Sequence, residues 1–241
     1  KQRRKESYIC GVVDEMAAEM KRLAPSYTSI STVPGFMDAR PFVWDGFGAN
    51  IYYTYFIDLR RPLDAIWEDM DKDCRREIRT TEKHALSLEQ THDVKAFFNI
   101  MKERYIQQGL NFPVMSEQYL EDILATFPDN IKMYLLYDAD RVIDVMVNYE
   151  YNGRFMFWMG WVNLDKKIHS NEYATWEFLK MKKEEGYKEF EIAGGNTRRL
   201  CLFKSKFNPA LQYFYTIEKM NGLGTLAEWA YLNLFKRKTI L

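Results

Sequence analysis

The sequence predicts an α+β fold in which helices cover a mixed sheet, and three observations predict it. Hydrophobic residues make up 47% of the 241-residue chain and aromatic residues 16%, so a sizeable core is available and the composition argues against disorder. Three strand-like segments follow one another across the short turns Asp138-Ala139-Asp140 and Asn152-Gly153, and Asn-Gly is the strongest short hairpin signal. A helical segment closed by Gly186 then leads into a further strand, as a crossover connection would.

In chain order, Tyr8 to Val13 is a short apolar run that reads as a strand. Met16, Ala17, Met20 and Leu23 recur at helical spacing, so a helix is expected over Asp14 to Leu23, stopping before Pro25. Tyr27 to Val33 alternates and reads as a strand. Pro34 to Asn50 holds two prolines and three glycines and reads as a loop. Ile51 to Leu59, rich in aromatic and β-branched residues, is a strand. Pro62 to Lys83 reads as one helix with Leu63, Ile66, Trp67 and Met70 on a face, and its second half is heavily charged.

Ala85 to Gln90 is the next strand. Helices are expected over Asp93 to Gln108, ended by Gly109, and over Ser116 to Phe127, opened by Ser116 as N-cap. The three meander strands are Ile131 to Tyr137, Arg141 to Tyr151 and Arg154 to Trp161. Ser170 to Glu185 is a helix, Glu189 to Ala193 a strand, Leu200 to Phe207 a short helix, Gln212 to Lys219 a strand and Thr225 to Lys236 a helix. From residue 85 the order is therefore β-α-α-β-β-β-α-β-α-β. An antiparallel meander followed by a right-handed crossover is the plan of the GNAT-like (acyl-CoA N-acyltransferase) fold.

The 34 basic and 34 acidic residues balance, so no global attraction to DNA, RNA or an anionic membrane is indicated. Cys10, Cys74 and Cys201 are sparse, odd in number and without metal spacing, which reads as reduced thiols of a cytoplasmic protein. His84, His92 and His169 show no ligand spacing either, so no metal is expected. No apolar run approaches the roughly 18 residues a membrane span needs.

Several phrases carry a resemblance. Tyr53-Thr54-Tyr55-Phe56-Ile57-Asp58-Leu59 precedes a helix with Arg75, Ile78, Arg79 and Lys83. Later come Asn171-Glu172-Tyr173-Ala174-Thr175-Trp176, Gly186, Phe190-Glu191-Ile192-Ala193-Gly194-Gly195 and Leu202-Phe203-Lys204-Ser205-Lys206-Phe207. Together, over roughly residues 50 to 217, they resemble the Fem-type peptidoglycan aminoacyltransferases and their GNAT-like acetyltransferase relatives. Members carry two GNAT-like units in tandem. The resemblance thus implies a partial first unit over 1–60, a linker helix over 61–84, a complete unit over 85–219 and a C-terminal helix over 220–241. The absent initiator methionine agrees with missing opening strands, and an incomplete sheet exposes edges through which the chain could oligomerise.

The fold places an acyl group where two parallel strands splay, here Arg154 to Trp161 and Glu189 to Ala193, parting after Trp161 and Ala193. Enzymes that use acyl-CoA follow the first strand with a glycine-rich turn whose N–H groups bind pyrophosphate. The stretch from Val162 to Asn171 contains no glycine, a departure that suits an aminoacyl-tRNA ester as donor. The resemblance makes Phe203 and Lys204 the catalytic candidates, with the Lys204 ammonium stabilising an oxyanion. Trp158, Trp161, Asn171, Asn196, Arg198 and Tyr213 are the candidate substrate contacts; core packing is the plainer reading for the aromatic ones. Arg75, Arg79 and Lys83 share a helix face and could touch RNA or phosphate, although interleaved acids also fit a salt-bridged surface helix. His169, before the crossover helix, is a weaker candidate base.

The expected function is transfer of an aminoacyl group from aminoacyl-tRNA to an amine of a cell-wall or related precursor, lipid-linked precursors included. The expected location is the cytoplasm or the inner membrane surface. No tightly bound cofactor is expected. Two alternatives remain open: an acyl-CoA-dependent N-acetyltransferase acting on an amino sugar or amino acid, and a non-catalytic binding module of the same fold.

Overall fold

The computed structural model describes residues 1–107, 109, 116–160 and 167–235. In chain order the elements are α1 (Gln2–Leu23), β1 (Tyr27–Ser31), α2 (Arg40–Trp44), β2 (Gly48–Asp58), α3 (Leu63–Asp69), α4 (Lys72–Thr81), β3 (Leu86–Thr91), α5 (Val94–Gln107) and α6 (Glu117–Thr126). They continue with β4 (Ile131–Asp138), β5 (Arg141–Tyr151), β6 (Arg154–Gly160), α7 (Ser170–Glu184), β7 (Glu189–Ile192), α8 (Arg198–Lys204), β8 (Ala210–Met220) and α9 (Gly222–Ala230). No described helix is long and apolar enough to cross a membrane.

Several local expectations are corrected. Residues 8–13 are not a strand but part of α1: Val13 and Ala17 bury one face four residues apart while Tyr8 and Val12 stay exposed, a helical rather than an alternating pattern. The expected loop over residues 34–50 contains α2, where Pro41 occupies the first turn that tolerates proline, and Phe42 packs edge-on against Phe47 at 6.0 Å. The single helix expected over residues 62–83 is two. Met70 is extended (φ −66°, ψ 151°), and Asp71 caps α4 by accepting a hydrogen bond from the Asp73 backbone N–H at 3.0 Å. The last helix starts earlier, with Asn221 as N-cap, and gives way to a π-helical turn at Tyr231–Phe235.

The chain divides into two compact units, Lys1–Thr54 with Gln212–Leu241, and Tyr55–Leu211. In the first, β8 lies between β1 and β2, antiparallel to β1 with Tyr27 opposite Met220. Its core is Val13, Ala39, Phe42, Phe47 and Ile217.

In the second unit the strand order is β2-β7-β6-β5-β4-β3. Residues 55–58 of β2 run antiparallel to β7, β7 runs parallel to β6, and the rest is an antiparallel meander. Strand alternation splits its core into two layers. Met133, Leu135, Val145 and Val147 face Phe97, Phe98, Leu120 and Leu124 of α5 and α6. Tyr134, Leu136, Met146, Phe155 and Phe190 face Ile66, Cys74 and Ile78 of α3 and α4, and Phe178 and Leu179 of α7. Phe155 and Phe190 stack across the parallel pair with centroids 4.3 Å apart.

Gly160 ends β6 at φ +99°, and a Cβ there would lie 2.2 Å from the Val145 carbonyl oxygen and 2.7 Å from the Met146 Cα. Both obstacles are backbone and cannot rotate aside. Gly160→Ala is therefore expected to destabilise the second unit by at least about 1–3 kcal/mol, seen as a lower urea midpoint at unchanged slope.

Candidate functional site

The site is built where β6 and β7 stop pairing. Arg154, Phe155 and Met156 lie opposite Glu189, Phe190 and Glu191, and the register goes no further, although β6 continues to Gly160 and β7 to Ile192. On its other side β6 carries a bulge. Phe157 lies opposite Asn148 and Met159 opposite Val147, so Trp158 is the extra residue and is 37% exposed. A bulge bends its strand and re-aims a side chain. The strands therefore part after Met156 and Glu191, earlier than the expected Trp161 and Ala193. Trp161 itself, with residues 162–166, lies outside the described residues.

Lys204 ends α8 and is only 8% exposed. Its ammonium donates to the backbone carbonyls of Ala193 and Gly194 just beyond β7, the latter at 2.9 Å. Gly194 has φ +83°, and a Cβ on it would come within 3.1 Å of the Lys204 Nζ, so glycine makes room for the contact. Burial pushes the Lys204 pKa down to about 8, against an opposing pull from the Cys201 sulfur. An ammonium has three donors, so one remains beyond the two carbonyls.

The other expected residues are distributed unevenly. Phe203 packs on the main core with its ring 5.7 Å from Phe207, so it supports the turn rather than facing solvent. Asn171 is the second residue of α7, and its Oδ1 is buried without a hydrogen bond. Asn196 and Arg198, between β7 and the start of α8, are exposed. Tyr213 belongs to the first unit, where its hydroxyl contacts the Met37 sulfur at 3.2 Å. Trp176 is buried, 4.9 Å from Trp67, as a core residue. Arg75 and Arg79 share one face of α4, and Lys83, in the turn just past its C-terminus, lines the same groove.

Two features were not anticipated. Tyr55, opposite Ile192 on β7, hydrogen-bonds Cys201, which raises the Tyr55 pKa, and the Cys201 thiol donates to the Gly195 carbonyl at 3.3 Å. Lys206 sits 2.8 Å from Glu77 of α4 and 3.0 Å from Glu172 of α7, and its carbonyl accepts from the Asp71 N–H at 2.8 Å. Burial opposes its charge, but these two carboxylates hold the Lys206 pKa above its usual value. The segment is thus fastened on both sides, with Lys204 drawn to β7 and Lys206 to two helices. Neither residue has a sequence neighbour that signals its partner.

His169, the candidate base, has its Nδ1 3.9 Å from Glu77. Glu77, His169 and Glu172 bring their ligand atoms within 4.8 Å of one another, a spacing a metal ion could use. The Lys206 ammonium already lies between the two carboxylates, so the cation that this cluster accommodates is the lysine itself.

A family model described as an acetyltransferase (GNAT) domain matches residues 69–204, more than half of the chain. No curated protein matches it in sequence. Among solved structures, a crystal structure of FemX superposes with a TM-score of 0.70 at 10% identity, covering 90% of this chain and 78% of that one. The C-terminal domain of a putative lysylphosphatidylglycerol synthetase from Agrobacterium fabrum gives 0.64 at 13% identity, covering 91% and 76%. The structure of L-PGS from Bacillus licheniformis gives 0.57 at 13%, covering 81% and 69%. The GNAT-like α+β fold expected from the sequence is the fold observed.

Proposed function

The chain belongs to the acetyltransferase (GNAT) domain family, whose fold brings an acyl donor to an amine acceptor, and from that premise we propose that it is an aminoacyltransferase. It moves an aminoacyl group from the ester of an aminoacyl-tRNA to a primary amine of a cell-wall or lipid-linked precursor. The observation that carries this reading is the Lys204 ammonium, buried against the Ala193 and Gly194 carbonyls where β7 has left β6. Further support comes from the sequence of residues 162–171, which contains no glycine and so does not carry the glycine-rich motif of a CoA pyrophosphate-binding turn. A neighbour named for lysylphosphatidylglycerol, an aminoacyl lipid, also favours an aminoacyl donor.

In the reaction the acceptor nitrogen attacks the ester carbonyl carbon, forming the C–N bond and moving the carbonyl π electrons onto oxygen. The remaining Lys204 N–H donates to that oxyanion, a contribution of about 3 kcal/mol. Collapse breaks the C–O bond to the ribose, whose oxygen takes up the proton released by the amine. The products are an amide and a free ribose hydroxyl, and no covalent enzyme intermediate is needed.

The test is to incubate the full chain with radiolabelled aminoacyl-tRNA and an amine-bearing precursor, and in parallel to titrate it with acetyl-CoA in a calorimeter. Label is expected in an amide product, with no saturable heat from acetyl-CoA. Acetyl-CoA binding together with acetyl transfer, and no aminoacyl transfer, would replace this reading by the CoA-dependent one.

A further inference from the structure

We infer that the outer face of α4 is a binding site for the phosphodiester backbone of an RNA strand. The face forms a groove of about 460 Å³ lined by Lys72, Arg75, Arg76, Arg79 and Lys83, with Glu68 as its carboxylate. On α4, Arg75 and Arg79 are four residues apart, as are Lys72 and Arg76, and Lys83 follows in the turn just past the helix. Four residues advance about 6 Å along an α-helix, so each row repeats its charge at a step comparable with that of successive phosphates on one strand. A single small anion would use one such charge and leave the rest of the row idle.

Part of the groove is already held in place. The Arg79 guanidinium lies over the Trp67 ring at 5.3 Å, and that ring rests on Trp176 at 4.9 Å. Its flat face is thus fixed before any ligand arrives, which lowers the ordering needed on binding. Arg75, its side chain only 21% exposed, pairs with Glu68, whereas the internal partner of Arg76 is exchangeable: Arg76 pairs with Asp73 with side chains 69% and 62% exposed. Exposed pairs of this kind contribute little, and a phosphate can displace the carboxylate.

The same face is poorly suited to a lipid surface. Among the described residues, no large exposed hydrophobic side chain falls between Tyr53 and Ile106, so nothing apolar projects from α3 or α4 into a bilayer. Its connection to the candidate site is direct, because α4 holds the turn after Lys204 through the Glu77–Lys206 pair and the Asp71 N–H. The inference extends the aminoacyl-tRNA reading of the donor and rests on it for the identity of the RNA, but binding can be measured without any transfer.

The experiment is fluorescence anisotropy of a labelled single-stranded oligoribonucleotide with the full chain over a salt series. We expect Arg79→Ala/Lys83→Ala to weaken binding at least about tenfold at low salt and to flatten the log–log salt slope by about 1.4. Because Arg79 packs on Trp67, the exposed pair Lys72→Ala/Arg76→Ala is a second variant whose fold is not at risk, with the same loss expected. Lys204→Ala should bind the oligonucleotide like the parent chain while losing transfer. Unchanged affinity and slope in both double variants would overturn the inference. So would an oligonucleotide that binds no tighter than inorganic triphosphate, or variants that lose binding to phosphatidylglycerol vesicles while keeping RNA. RNA binding in the groove without aminoacyl transfer would sink the proposed reaction and leave the groove standing.

Discussion

Replacing Lys204 by alanine is expected to lower kcat about 10²–10³-fold with little change in KM, because the lost N–H acts on the oxyanion and not on the bound substrates. The pH profile gives a sharper signature. Burial brings the Lys204 pKa down to about 8, and the reaction needs the protonated form, so kcat should fall as the pH rises past 8. Lys204→Arg keeps its charge at that pH and should lose the fall along with part of the rate. A parent rate that climbs through the same pH would mean that the neutral amine is the active form, and the oxyanion role would be wrong. Folding supplies an independent check. A lysine whose folded pKa lies below its usual 10.5 leaves the unfolded chain binding more protons between pH 8 and 10.5. Stability relative to Lys204→Met should therefore rise across that window, by up to about 3 kcal/mol.

The largest loss of stability is expected from Lys182→Met. The Lys182 ammonium lies 2.6 Å from Glu150, and both side chains have no exposure. Tyr187 donates to the same carboxylate at 2.6 Å, Lys132 lies 2.9 Å away, and Lys182 also reaches the Tyr134 hydroxyl at 3.2 Å. Removing one partner leaves a buried charge without its main counter-ion, at a cost of about 3–5 kcal/mol, measurable by urea unfolding. The double variant Glu150→Gln/Lys182→Met should lose much less than the two single losses added together. Burial pushes the Glu150 pKa up, but hydrogen bonds from Lys182, Tyr187 and Lys132 overcome it and hold the group below 4.5. Its contribution is therefore present above pH 4.5 and lost as the pH falls below that, and Lys182→Met should make acid unfolding less steep in this range.

Local signals in the sequence were readable where a turn or cap depends on one residue. Asn152 and Gly153 both adopt positive φ, 50° and 74°, as the hairpin requires, and Ser116 accepts from the Tyr119 N–H at 3.1 Å as the N-cap. Signals weakened where two periods competed. Residues 8–13 contain too few positions to separate a strand from a helix face, and the Met-Asp-Lys-Asp cap that restarts the chain at α4 is hidden in a charged run. The candidate site was legible as Phe203-Lys204, but not as an arrangement. Lys206 and Glu77 are 129 residues apart, and the bulge at Trp158 appears only in the register between β5 and β6. Tyr213, expected as a substrate contact, illustrates the rule that a large ring is usually committed to its own neighbours, here Met37 and Tyr215.

The interrupted first unit has a consequence for biosynthesis. Residues 55–211 emerge from the ribosome as one uninterrupted stretch and can close their own core at once, whereas β1 and β2 share a partner only when β8, at residues 210–220, has been made. Until then β1 and residues 48–54 of β2 wait for β8, a window for aggregation or chaperone capture. A slow decoding stretch anywhere between residues 58 and 210 would prolong that wait, while one before residue 27 would not.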